Sequence, residues 1–194
     1  MAGVAGVEPT SAVLETVILP LNYTPMCLII AQKIKEYNTF FNYKTYNING
    51  DFMSIIKYTD KERDLLARLM RAEAIGEGEL GMLMVGNVGI NRIISSCLTF
   101  NNIRTISDMI YQNPGGFSGK DSPLFFSNPT TEQRKLANRV IKGEYFHPAT
   151  NALWFYAPKS NTSCQSTWWD QALAGRYKSH CFYKPASGIC KQLH

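Results

Sequence analysis

Leu65-Leu66-Ala67-Arg68-Leu69-Met70-Arg71-Ala72-Glu73-Ala74-Ile75-Gly76-Glu77 is the stretch on which the reading of this chain turns. Asp60-Lys61-Glu62 opens it. Leu65, Leu66, Leu69 and Met70 recur at three- and four-residue steps, which predicts a helix. The row Leu65, Leu69, Glu73 advances four residues at a time, so the apolar face runs into a carboxylate. Gly76 and Gly78 then end the helix just past Glu73. A carboxyl at a helix end, beside buried leucines and next to a loop, is where desolvation raises proton affinity and makes a general acid. The alternative, on pattern alone, is a Glu73 that bends to solvent or pairs with Arg71 or Arg92.

The chain has 194 residues, 45% hydrophobic and 18% charged, enough for one good core and too few for two large ones. A net charge of +5 with no polybasic run suits an anionic polymer such as a cell wall as well as it suits nucleic acid. No helix-turn-helix, RNP or zinc-finger pattern supports nucleic acid. Cys27, Cys97, Cys164, Cys181 and Cys190 are odd in number, widely spaced and without a CxxC. That argues against both a disulfide framework and a structural zinc site. His147, His180 and His194 lie far apart and none has HExxH spacing, so no metal is expected. The first Lys or Arg is Lys33, so the charged n-region of a secretory signal is missing. Residues 12–31 are apolar, but Glu15, Pro20, Asn22 and Pro25 interrupt them, and no membrane span is expected.

Residues 1–52 differ from the rest. Lys35-Glu36-Tyr37-Asn38-Thr39-Phe40-Phe41-Asn42-Tyr43 and its neighbours are rich in Asn, Tyr, Phe and Lys, with no period of 2 or 3.6. Such a segment reads either as a docking tail or as translated upstream DNA of a low-G+C genome, with Met53 as the true start; the second reading is preferred. Either way a poorly ordered extension over 1–52 and a folded domain over 53–194 are expected.

A second helix is expected from about Leu80 to Ile94, with Leu80, Leu83, Met84, Val88 and Ile94 toward the core. Gly81, Gly86 and Gly89 each cost a helix interior about 1 kcal/mol relative to Ala, which argues for a neighbouring backbone packed close. Asn87 and Asn91 lie near the same face, where a buried amide either ties loops together or faces a cleft. Thr105–Tyr111 reads as a short helix. The turn-rich run Tyr111–Asp121 reads as a binding loop. It is not a P-loop, and Ser118 has neither a GxSxG elbow nor a paired His. Thr130 and Gln133 match a capping box, Leu136, Ala137, Val140 and Ile141 give a buried stripe, and Gly143 ends it. Ala152–Tyr156 and His180–Tyr183 are expected to be two strands of a small sheet. Trp168-Trp169 between them suits either sugar stacking or core packing. The fold class predicted is α+β, mainly helical, with a small antiparallel sheet near the C-terminus.

Ala72-Glu73-Ala74-x-Gly76-Glu77, then Gly81-x3-Val85-x2-Val88-x2-Asn91-Arg92, then Ile110-Tyr111-Gln112 with Phe117 following, resemble the SleB/CwlJ-type cell-wall hydrolases of spore-forming bacteria. Gly86-Asn87-Val88-Gly89-Ile90-Asn91-Arg92 and Lys178-Ser179-His180-Cys181-Phe182-Tyr183 are similar to the short single-domain CwlJ branch. The resemblance spans about residues 58–190. It implies a compact lysozyme-like or lytic-transglycosylase-like domain without the wall-binding repeats of the longer branch. It also implies Glu73 as catalytic acid and Glu77 as a second acid of less settled role. Tyr111, Gln112, Phe117 and Ser118 would line the cleft, and Asn87 and Trp168 are further candidates for substrate binding. The implied substrate is spore-cortex peptidoglycan cut during germination. The implied setting is the coat–cortex boundary, with a small coat protein needed for localisation, no bound cofactor, and activation by calcium dipicolinate.

A glycosidic hydrolase ordinarily needs two carboxylates, about 5–5.5 Å apart if retaining and about 6.5–9.5 Å apart if inverting. Glu77 is one turn from Glu73 and is a candidate to project beside it. A lytic transglycosylase needs one carboxylate, because the muramic 6-hydroxyl attacks within the same molecule. The one-acid route is preferred. The rivals are a non-catalytic wall- or coat-binding protein with Trp168, Trp169 and Tyr111 as a sugar platform, and a virus-encoded lysin of vegetative wall.

Overall fold

A computed structural model describes residues 53–159, 162–190 and 193. The extension expected over 1–52, with its alternative start at Met53, concerns residues outside these.

Helix α1 spans Asp60–Ala74. Thr59 caps it: the Thr59 hydroxyl accepts from the Glu62 amide at 3.2 Å, and the Glu62 carboxylate accepts from the Thr59 amide at 3.0 Å. The buried stripe is Leu66, Leu69, Met70 and Ala74, with Ala67 and Arg71 beside it. Leu65 and Glu73 run along its border, half-buried. At Ala74 the α-helix stops. One 3-10 turn, Ile75–Glu77, follows, and Gly78 at φ 78° swings the chain into α2, Gly78–Ile94. That backbone angle is cheap only for glycine.

Helix α2 has no outward face over Gly81–Ile93, where every residue is buried. A helix apolar all round belongs at a centre. Around it pack α1, the short α3 (Ile106–Ile110) and, after a one-turn α4 (Pro123–Phe126), α5 (Thr131–Ile141). The close neighbour that the glycines called for is made of side chains rather than backbone. A Cβ at Gly86 would stand 3.0 Å from Met70 Sδ and Val140 Cγ2, and one at Gly89 would stand 2.9 Å from Met109 Cε. Helix α5 begins at the Thr130–Gln133 capping box and buries Leu136, Ala137, Val140 and Ile141.

The C-terminal part is a four-stranded antiparallel sheet of β1 (Trp154–Tyr156), β2 (Thr167–Trp168), β3 (Gln171–Tyr177) and β4 (His180–Lys184), in spatial order β1-β4-β3-β2. The two expected strands pair directly, Trp154 opposite Tyr183, Phe155 opposite Phe182 and Tyr156 opposite Cys181. Strands β2 and β3 widen the sheet beyond that expectation. The molecule is mainly helical with a small C-terminal sheet, as its sequence predicts.

Two asparagines of α2 fasten the loops. Asn91 Nδ2 donates to Ala149 O and Thr150 O at 3.0 Å and to Ala152 O at 2.9 Å, which fixes the approach to β1. Asn87 is fully buried; its Nδ2 donates to Glu144 O at 2.6 Å and its Oδ1 accepts from the Phe146 amide at 2.9 Å. The substrate-binding expectation for Asn87 is therefore corrected. An amide at 0% exposure must find its partners inside the protein, and it finds them in backbone.

The cysteine expectation is also corrected. Cys97 pairs with Cys190 and Cys164 with Cys181, across 93 and 17 residues of sequence. The fold brings the Cα atoms of these pairs to 4.8 and 5.7 Å, ordinary disulfide separations that linear spacing did not reveal. Cys27, which makes the count odd, lies outside the described residues.

Candidate active site

Glu73 stands in the last turn of α1, and the 3-10 turn Ser118–Asp121 lies over it. Glu73 Oε1 accepts from the Gly119 amide at 2.5 Å. A Cβ on Gly119 would lie 2.8 Å from Oε1 and 2.9 Å from Cδ and Cγ, so the position has room for hydrogen alone. Burial raises the proton affinity of Glu73 above the ordinary carboxylate value. The Gly119 amide, the Arg92 charge and the Ser118 hydroxyl, in that order, pull it back. The result is a carboxyl that is protonated more readily than a solvated one, with donors waiting for the anion once the proton leaves.

Arg92, near the C-terminal end of α2, is 5% exposed. Its Nε donates to Leu153 O at 2.8 Å and its Nη1 to Gly115 O at 3.1 Å. The guanidinium carbon lies 4.4 Å from the Phe117 ring centre and 5.2 Å from that of Phe100. Burial lowers its pKa to about 10, and the Glu73 charge opposes that shift. Arg71, the other partner weighed for Glu73, is turned away. It donates to Leu124 O, to Ser127 O at 2.7 Å and to Asn128 O at 3.1 Å, closing the end of α4.

Tyr111, Gln112, Phe117 and Ser118 line one hollow of about 490 Å³, with Lys120 and Asp121. Tyr111 is 57% exposed and offers a ring to solvent, whereas Phe117 is buried beneath Arg92. Gln112 Oε1 is buried and accepts from no group among the described residues. A second hollow of about 410 Å³ shares Tyr111, Gln112 and Asn113 with the first and continues to Asn102, Ser107 and Asp108.

Trp168 lines neither hollow. Its ring sits 4.5 Å from Trp169, 4.7 Å from Tyr156 and 5.5 Å from Tyr183, in an aromatic cluster on the sheet. Glu77 does not project beside Glu73 either. The 3-10 turn breaks the four-residue row, so Glu77 faces the β3–β4 turn instead. Its Oε1 accepts from Ser179 Oγ, its Oε2 from the Ser179 amide at 3.3 Å, and His180 Nδ1 lies 3.8 Å away. Lys178 Nζ donates to the Glu77 carbonyl. Burial holds the His180 pKa below the usual imidazole value, with the Glu77 charge opposing.

Sequence reasoning missed Gly119 and the role of Arg92. Gly119 carried no signal beyond its place in a turn-rich loop. Arg92 carried one: it lies in the last turn of a glycine-rich helix with apolar residues on every side, where a charge has no exposed face to occupy.

Comparison with known proteins gives concordant results. The family described as Cell Wall Hydrolase matches residues 76–183, a span that begins just after Glu73 and includes Arg92 and Glu77. A cell wall hydrolase CwlJ from Oceanobacillus iheyensis is 52% identical over 141 residues, covering 73% of this chain and 99% of the relative. A spore cortex-lytic enzyme of Bacillus cereus is 28% identical over 128 residues, 66% of this chain and 46% of that longer protein. Among solved structures, the catalytic domain of the germination-specific lytic transglycosylase SleB from Bacillus anthracis superposes with a TM-score of 0.52 at 26% identity. That superposition covers 66% of this chain and 97% of the domain.

Proposed function

Because the chain belongs to the cell wall hydrolase family, we propose that it cuts glycosidic bonds of spore-cortex peptidoglycan during germination, with Glu73 acting alone as general acid and then base. The observation that carries this reading is the setting of Glu73: a half-buried carboxyl of raised proton affinity, gripped by Gly119 in the same turn whose Ser118, Lys120 and Asp121 line the hollow. Glu77, the other acid considered, has both oxygens engaged by Ser179. Asp121 also lines the hollow, but it is exposed and paired with Lys120 at 2.7 Å.

In this reaction Glu73 donates its proton to the glycosidic oxygen as the bond to the anomeric carbon breaks. The resulting carboxylate takes the proton of the muramic 6-hydroxyl while that oxygen closes on the same carbon, leaving a 1,6-anhydro end. Intramolecular attack supplies the effective concentration that an activated water would otherwise need. Association with the coat–cortex boundary, a small coat protein as anchor and activation by calcium dipicolinate belong to the same reading. Among the described residues no helix is long and apolar enough to cross a membrane.

Digestion of purified cortex in ¹⁸O-labelled water, followed by mass spectrometry of the fragments, tests the reaction. Unlabelled anhydro ends are expected, with Glu77→Gln and Asp121→Asn retaining substantial activity. Labelled reducing ends together with an inactive Glu77→Gln or Asp121→Asn would establish a two-carboxylate hydrolase instead. Digestion of vegetative sacculi in preference to cortex would identify a vegetative lysin.

A further inference from the structure

Arg92 joins the entry to β1 to the loop that lines the hollow. Its Nε holds Leu153 O at the entry to β1, and its Nη1 holds Gly115 O in the loop that forms the hollow. The Phe117 ring lies 4.4 Å from its guanidinium carbon. Ser118 and Gly119, the next two residues, carry the hydroxyl and amide that hydrogen-bond Glu73. A buried cation is an expensive way to fill space, and a well-packed apolar side chain often stabilises a core better. Two carbonyls call for donors but not for a full positive charge. The Phe117 and Phe100 rings take up part of that charge, and the carboxyl that acts on it is Glu73.

From this arrangement we infer that Arg92 is a positioning residue: it fixes the Gly115–Gly119 backbone that grips Glu73, and it supplies the positive charge against which the Glu73 carboxylate forms when the proton leaves. The inference rests on the reading of Glu73 as the acid. The groups acting on Glu73 are Arg92 from α2 and the Gly119 amide and Ser118 hydroxyl from the turn over it. Lys120 and Asp121 in that turn pair with each other, Arg71 on the same helix holds the end of α4, and Glu77 is held by Ser179. Arg92 is thus the cation whose loss Glu73 would register. Without it the carboxylate is harder to form, so Glu73 keeps its proton to higher pH and releases it to the leaving oxygen less readily.

The experiment is the rate of muropeptide release from cortex as a function of pH, for the parent, Arg92→Gln, Arg92→Lys and Glu73→Gln, with melting temperatures alongside. Arg92→Gln is expected to lower kcat on the order of 100-fold and to move the alkaline limb of the profile up by about one pH unit. Arg92→Lys keeps the charge but not the planar fork, so it should leave the limb in place and recover part of the rate. A lower rate and melting temperature in Arg92→Gln with an unmoved limb would mean a merely structural arginine, and would overturn the inference. Where Arg92→Gln does not fold, Arg92→Lys decides: a reduced kcat with the limb in place supports it, and a parental kcat or a shifted limb overturns it. An active Glu73→Gln would instead sink the reading of Glu73, whatever the Arg92 variants do.

Discussion

The Gly119 amide donates to Glu73 Oε1 at 2.5 Å, and a Cβ on Gly119 would lie 2.8 Å from that same oxygen. Hydrogen bond and vacancy are one feature: the turn comes close enough to grip the carboxyl only because it carries no side chain there.

Gly119→Ala tests that feature directly. Gly119 is not among the glycines of positive φ, so alanine meets no backbone penalty and acts through space alone. The methyl should push the carboxyl aside, lowering cleavage on the order of 100-fold at a stability cost of about 1–3 kcal/mol. Rates and thermal melts measured together check this. A near-parental rate would remove Gly119 from the site.

Glu73→Gln should abolish cleavage and raise the melting temperature at neutral pH. Burial lifts the folded-state proton affinity of Glu73 above its unfolded value. The folded state therefore binds the proton more tightly, and this contribution to stability is complete below the unfolded pKa and lost as pH rises through the folded one. Gln does not titrate and escapes that loss. The gap between variant and parent should close in acid, and a variant that melts below the parent at neutral pH would contradict the assignment.

Glu77→Gln should behave in the opposite way. Its carboxylate ties the turn after α1 to Ser179 and His180, so the change should cost about 1–3 kcal/mol of stability while kcat stays within a few-fold. A collapse of kcat at an unchanged melting temperature would give Glu77 a chemical role.

Reductant should lower the melting temperature. On chain-entropy grounds the 93-residue closure by Cys97–Cys190 contributes about 4.5 kcal/mol and the 17-residue closure by Cys164–Cys181 about 3 kcal/mol. Cys97→Ser should therefore destabilise more than Cys164→Ser. Indifference to reductant would mean that neither bridge constrains the unfolded chain.

The helices were legible where period and caps agree. The α1 repeat placed Glu73 at a helix end, and Thr130–Gln133 announced α5. Strand β3 was not, because Gln171-Ala172-Leu173-Ala174-Gly175 has little of the β-branched and aromatic bias that marks a strand. The disulfides depend on which distant segments meet, and spacing does not encode that. Glu77 was misdirected for a local reason: one 3-10 turn rotates everything after Ala74 out of the helical row, and a rule of four residues cannot foresee it. Asn87 looked like a cleft residue because sequence records which face an amide shares, not whether that face is covered.

The enclosure of α2 bears on how much change this protein can absorb. An amphipathic helix such as α5 has neutral positions on its wet side, so a scan of substitutions across it should read as alternating tolerance with a period near 3.6. Over Gly81–Ile93 there is no wet side. A saturation scan should show an unbroken intolerant block there, in which added volume is rejected at Gly86 and Gly89 and lost polarity at Asn87 and Asn91. Random drift and deliberate engineering would both have to work around this helix, leaving the outer helices and exposed loops as the places where a variant of this enzyme can be rebuilt.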